Sequence, residues 1–264
     1  MKTIAIELER GRVEGRVAQG FEPVAQAFAA NFAQYQEVGA ACALYHRGLP
    51  VVDIWGGLAD VDSAKAWQED TVCMVFSAAK GPTATCIHQL VEAGRLDVDL
   101  PVAHYWPEFG CNGKEEITTR QVLSHQAGLA AVDGDLSLEQ VLAWEPVVAA
   151  IAAQAPNWEP GSQHGYHARS FGWILGELIR RITGESPGAY LASHIAAPLG
   201  LRNWVGLPET ELAHCATLLP PPGGSDAVAA LLGADSLTAR VMSGPSGLFG
   251  YNEMWNRPDV LAAE

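Results

Sequence analysis

The apolar residues Phe171, Ile174, Leu175, Leu178, Ile179 and Ile182 recur at i, i+3, i+4, i+7, i+8 and i+11. That spacing puts all six on one stripe of a helix, and a helix with one apolar stripe must bury it against another layer. Gly184 stands where a left-handed residue closes a helix. Pro187 then opens a second helix carrying Tyr190, Leu191 and Ile195, closed by Pro198-Leu199-Gly200.

The front of the chain has a different texture. Phe21, Val24, Ala25, Phe28 and Phe32 predict an amphipathic helix. Two short apolar runs follow, Ala40–Tyr45 and Val51–Trp55, separated by His46-Arg47-Gly48-Leu49-Pro50, which predicts an antiparallel hairpin. A two-stranded ribbon is marginal alone, and the sequence offers no other clear strand. Ala59–Asp70 reads as a loop. From Ser77 the pattern is helical, with Ala84, Ile87, Leu90 and Val91 on one face and Gly94 at its end. Thr118 or Thr119 caps a short helix bearing Val122 and Leu123. Pro220-Pro221-Pro222-Gly223-Gly224 is a connector before one more helical stretch around Val228–Leu232.

At 264 residues, 48% of them apolar, the chain can build a sizeable core. Sixteen Lys and Arg against thirty Asp and Glu leave a net charge of −14. Such a balance repels phosphate backbones and anionic lipid surfaces, so neither nucleic acid nor a membrane is an expected partner. Met1–Arg16 builds no apolar run, so no secretory signal is expected and the default compartment is the cytoplasm. Cys42, Cys73, Cys86, Cys111 and Cys215 lack any C-x-x-C pair and read as buried free thiols. The eight histidines give no metal signature, since His164 and His167 share a loop but no third ligand with good spacing follows, and no cofactor is expected.

Phe76-Ser77-Ala78-Ala79-Lys80-Gly81 places an S-x-x-K at a helix start. Three residues are nearly one helical turn, so the hydroxyl and the amine share a side. A hydroxyl becomes a good nucleophile when a neighbour takes its proton, and the positive end of the helix steadies the alkoxide. For Lys80 to serve as base at pH 7 it must fall about 3 pKa units below a reference near 10.4, which is about 4 kcal/mol. Surface helices carry S-x-x-K pairs by chance, so the motif alone is weak.

His164-Gly165-Tyr166-His167-Ala168 precedes the strongest helix. A Tyr in a Gly-containing loop can reach into a cleft and, beside a cation, exchange protons. The plainer reading is an anchoring, half-exposed ring. Gly184-Glu185-Ser186-Pro187-Gly188 fits G-x-S-x-G, but a nucleophile elbow needs a strand before it. A helix precedes it here, so Ser186 reads as an N-cap. His125 reads as a brace for its own helix turn.

Taken in order, Val75–Gly81, Leu123-Ser124-His125-Gln126-Ala127-Gly128-Leu129, Trp158-Glu159-Pro160-Gly161, Gly165-Tyr166-His167-Ala168 and Phe171–Glu177 resemble the penicillin-recognising serine hydrolases. The resemblance is nearest to the β-lactamase-like carboxylesterases of family VIII. It implies an α+β, β-lactamase/transpeptidase-like fold, with an antiparallel sheet lobe and a helical lobe. It further implies that Ser77 is acylated, that Lys80 and Tyr166 carry the proton, and that water releases the acid. Phe76, His164, His167 and Ala168 are the candidate substrate contacts. Many β-lactamases carry Asn two residues after the Tyr, where it helps hold a β-lactam amide. Ala168 stands there, so short-chain esters are expected over lactams.

The resemblance also implies a final lobe, supplying further strands and an oxyanion donor, that Tyr251–Glu264 only leads into. One catalytic domain over 1–264 is expected, with an incomplete sheet. Residues 1–110 would begin the sheet lobe, 111–235 form the helical lobe and 236–264 lead into absent strands. The first functional expectation is a serine esterase acting on a small-molecule ester. Alternatives are a weak β-lactamase or D-amino-peptide hydrolase, and a non-catalytic or partner-dependent chain that dimerises.

Overall fold

The computed structural model describes residues 1–220, 233, 236–250 and 252–264. The helical stretch expected around Val228–Leu232 lies outside the described residues. The chain forms two compact units, Met1–Met74 with Thr210–Leu218, and Val75–Glu209 with Leu219–Glu264. Ser77 and its helix therefore group with the other helices, whereas the sequence reading groups them with the sheet.

The first unit is an open antiparallel sheet with one helix. Its strands are β1 (Lys2–Glu7), β2 (Arg12–Val17), β3 (Gly39–His46), β4 (Leu49–Asp60) and the short β5 (Lys65–Ala66), and its helix is α1 (Glu22–Gln34). The order is β1-β2-β4-β3, with β5 also on β4. Val17 and Leu44 both register against Val52, and Cys42 against Ile54. This stacks Val13, Val17, Val52 and Ile54 on one buried face, where Val24, Phe28 and Phe32 of α1 meet them.

The β1–β2 hairpin corrects the expectation that strands occur only around residues 40–55. Val13, Gly15 and Val17 point inward while Arg12 and Arg16 are exposed, so the period-two pattern is present but its outward positions are charged. Gly15 carries φ +128°, and a Cβ there would lie 2.1 Å from the Asp53 carbonyl oxygen. The strand pair closes only because that atom is missing. Thr210–Leu218 returns to this unit through a parallel bridge between Val72 and Cys215, and the Thr217 N–H donates to the Ala59 carbonyl at 2.8 Å. All five cysteines are free, but Cys86 alone among them is buried and Cys73 is exposed. The expectation of uniformly buried thiols is corrected.

The second unit is helical. Its main helices are α2 (Lys80–Glu92), α3 (Val102–Tyr105), α4 (Thr119–Leu123), α5 (Leu138–Leu142), α6 (Glu145–Ala153), α7 (Ser170–Thr183) and α8 (Pro187–Leu191). α7 buries Phe171, Ile174, Leu175, Leu178 and Ile179, and α2, with Cys86, Ile87 and Leu90 buried, packs on it. Each such side chain contributes about 1.5–3 kcal/mol on leaving water. The same stripe buries Glu177, whose carboxylate accepts from Trp144 Nε1 at 2.9 Å, Arg180 at 3.0 Å and Arg181 at 2.7 Å. A buried charge requires such partners. α4 begins with a capping box, Thr118 Oγ1 accepting from the Gln121 N–H at 3.2 Å and Gln121 Oε1 from the Thr118 N–H at 2.9 Å. Among the described residues no helix is long and apolar enough to cross a membrane.

Candidate active site

Ser77 lies in a 3₁₀ turn, Phe76–Ala79, that runs directly into α2. Lys80 is the first residue of that helix, so its side chain comes back over the turn. Its Nζ donates to Ser77 Oγ at 3.2 Å and to the Ala168 carbonyl at 2.7 Å. The ammonium also lies 4.8 Å from the ring centre of Tyr166 and 5.6 Å from that of Phe171, both within cation–π range. Among the described residues no carboxylate pairs with it. Phe76 holds φ at +45°. For a bulky residue that conformation costs on the order of 1–3 kcal/mol and persists where surroundings impose it.

The loop bearing Tyr166 is pinned to the segment after α4. The Gly165 N–H donates to the His125 carbonyl at 3.0 Å, Gly161 N–H to Gln126 at 2.9 Å and Asn157 N–H to Gly128 at 2.6 Å. Trp158 lies so close over Gly165 that a Cβ there would fall 2.2 Å from the indole. The loop therefore approaches as bare backbone. Held this way, Tyr166 Oη donates to Ser77 Oγ at 2.5 Å, while the residue stays 44% exposed. Burial pushes the Tyr166 phenol up, but its hydrogen bonds with Ser77 and Lys80 and the lysine charge outweigh that and bring it below its usual value.

His167 does not meet solvent. It is 0% exposed, its Nε2 accepts from the Leu129 N–H at 3.0 Å and its Nδ1 lies 2.6 Å from the Gly165 carbonyl. The ring is therefore neutral, with the proton on Nδ1. Burial pushes its pKa down to about 4. The expectation that His167 contacts substrate is corrected; it is an internal strut of the loop. His164 is exposed. Ala168 turns its methyl into a small cluster with Ala130, Ala131 and Val241, while its carbonyl holds Lys80.

The structure brings Ser77, Lys80 and Tyr166 together and adds His125, which the sequence reading takes for a local brace. His125 has φ +61° and its Nδ1 accepts from the His167 N–H at 3.1 Å. Its ring lies 5.0 Å from Tyr166 and 5.3 Å from Phe171. Burial, then the Lys80 charge, lower its pKa. Ser186 caps α8, accepting from the Ala189 N–H at 3.2 Å, and follows a helix rather than a strand. It has no nucleophile-elbow geometry.

The esterase/β-lactamase LipL of Mycobacterium tuberculosis is 42% identical over 195 residues, which are 71% of this chain and 43% of that protein. Penicillin-binding protein 4 of Amycolatopsis lactamdurans is 31% identical over 180 residues, 66% of this chain and 46% of its own length. The chain thus spans less than half the length of these curated relatives. A solved family VIII carboxylesterase superposes with a TM-score of 0.76 at 38% identity. A penicillin-binding protein homologue from Caulobacter crescentus superposes at 0.79 and 35%. Each match covers 95% of this chain and 67% of the other. The open antiparallel sheet and the helices are those of the β-lactamase/transpeptidase-like fold. The sequence model of that family matches residues 24–251, and the chain belongs to the beta-lactamase family.

Proposed function

We propose that the chain carries the catalytic centre of a serine hydrolase that cleaves short-chain carboxylic esters through an acyl-enzyme on Ser77. The observation that carries this reading is one oxygen with two proton-handling neighbours, Ser77 Oγ lying 2.5 Å from Tyr166 Oη and 3.2 Å from Lys80 Nζ. Tyr166 as phenolate, or Lys80 as free amine, takes the Ser77 proton as the oxygen attacks the ester carbonyl. The Ser77 N–H, in the turn that opens α2, is the donor this reading assigns to the developing oxyanion. As the C–O bond to the alcohol breaks, Tyr166 returns a proton to the leaving oxygen. Water then attacks the acyl-enzyme and gives its proton to the same pair, which returns it to Ser77 Oγ as the bond from the acyl carbon to Oγ breaks and the acid is released.

Esters are favoured over β-lactams because Ala168 offers no side-chain donor or acceptor for an amide, and its methyl is spent on packing. The free cysteines fit a reducing compartment such as the cytoplasm. A fluorophosphonate probe with peptide mapping tests the nucleophile: Ser77 is the expected adduct, and an adduct on Ser186 refutes it. Comparison of kcat/KM for a short-chain nitrophenyl ester and a cephalosporin tests the substrate class. The ester is expected to be hydrolysed at least about a hundredfold better, a margin that a site lacking one polar partner can supply.

A further inference from the structure

Phe76 immediately precedes Ser77, so its backbone torsions set the direction of the Ser77 side chain. Its φ of +45° is one that an aromatic residue holds only under constraint. The Phe76 side chain is not enclosed by a core, being 42% exposed. What meets it is Trp255, edge to face, with ring centres 5.1 Å apart and planes at 82°.

Trp255 is itself fixed from several sides. It is 8% exposed, and its Nε1 donates to the Gly250 carbonyl at 2.9 Å. Phe249 stacks on it at 5.3 Å and 29°. The Arg169 guanidinium lies 5.1 Å from its ring centre and 4.5 Å from that of Phe249. Arg169 Nη2 in turn donates to the carbonyls of Met242 at 2.8 Å and Phe249 at 3.0 Å. Arg169 directly follows Ala168, whose carbonyl holds Lys80. One short segment therefore places the lysine and anchors the aromatic stack that reaches Phe76.

We propose that Trp255 is a positioning residue for Ser77: its ring holds Phe76 in the left-handed conformation and so keeps Ser77 Oγ between Tyr166 and Lys80. The inference rests on Ser77 being the nucleophile. It differs from a role as an apolar wall for the acyl group, which would act on substrate affinity. Positioning acts on the rate at saturation.

The test is a double-mutant cycle on the full chain, reading the limiting rate of Ser77 modification at saturating fluorophosphonate in wild type, Trp255→Ala, Phe76→Gly and the double variant. With Phe at 76, Trp255→Ala is expected to slow that rate roughly ten- to a hundredfold, the size of effect that a small misplacement of a reacting atom produces. With Gly at 76, which adopts the left-handed region freely, the same truncation is expected to change it by less than about twofold, within the error of uncoupled changes. An equal slowing in both backgrounds, or an effect confined to the half-saturating probe concentration, overturns the proposal. Ser77→Ala is run in parallel with peptide mapping, and labelling at another residue refutes the nucleophile itself rather than the clamp. Should thermal unfolding show that Trp255→Ala does not fold, Trp255→Leu keeps bulk without the ring. It should give the same pattern at about fivefold, and no slowing in it overturns the proposal.

Discussion

Tyr166 Oη and Ser77 Oγ are 2.5 Å apart although 89 positions separate them in the chain. Two elements meet at that contact, the turn that opens α2 and a loop tied to the segment after α4. Removing the phenolic oxygen leaves the rest of this arrangement standing. Tyr166→Phe keeps the ring against His125 and lacks only the hydroxyl. Its kcat/KM on a short-chain ester is expected to fall about 10²–10⁴-fold, the usual contribution of a positioned general acid or base. Thermal unfolding should barely move, since the residue is 44% exposed and the ring stays in place. A loss smaller than about threefold would remove Tyr166 from the proton path.

His125 ties the Tyr loop through Nδ1, and the two obvious substitutions should separate. His125→Leu strands the buried His167 N–H, a cost of about 1–3 kcal/mol, and places a branched residue at φ +61°. Its kcat is expected to drop more than its KM rises. His125→Asn offers Oδ1 in place of Nδ1 and tolerates the left-handed conformation, so it should recover most of that loss. Burial and the Lys80 charge already hold the imidazole below its usual pKa. Protonation turns Nδ1 into a donor facing another donor, so wild-type activity should fall on the acid side, below the ordinary histidine range. His125→Asn should lack that limb, and steady-state kinetics across pH for the three proteins checks both points.

His167 makes folding stability depend on acid. Its folded pKa, about 4, lies below the unfolded value of 6.5, so the unfolded chain binds the extra proton first. The contribution is complete above pH 6.5 and is lost as pH falls through 6.5 toward 4, amounting to about 3 kcal/mol over that window. Denaturant unfolding of wild type and His167→Gln at several pH values tests this. Gln can accept from the Leu129 N–H without titrating, so its stability should fall less steeply between pH 6.5 and 4. Parallel curves for the two proteins would assign the acid sensitivity to other groups.

Local chemistry made much of the fold legible. The α7 stripe from Phe171, its end at Gly184, the Ser186 cap of α8 and the Thr118 cap of α4 depend on residues within one or two helical turns of each other. Periodicity and capping report directly on such neighbours. The β1–β2 hairpin was harder to see, because Arg12, Glu14 and Arg16 interrupt the apolar positions and the partner that buries Val13 and Val17 lies some forty residues ahead on β4.

The sequence by itself determined the candidates for the chemistry, Ser77, Lys80 and Tyr166. An S-x-x-K turn needs only one helix to bring Ser77 and Lys80 together, and a motif order shared with a family named Tyr166 before any coordinate did. Tertiary structure decided what each neighbour does. His167, beside Tyr166 in sequence, turned inward to bind Leu129, while His125, some forty positions earlier, came to support the Tyr ring. Ala168 gives the site its carbonyl rather than its methyl, and Trp255 reaches Phe76 from nearly the other end of the chain. Contacts between residues far apart are set by how the packed helices close on one another, and no local spacing encodes that.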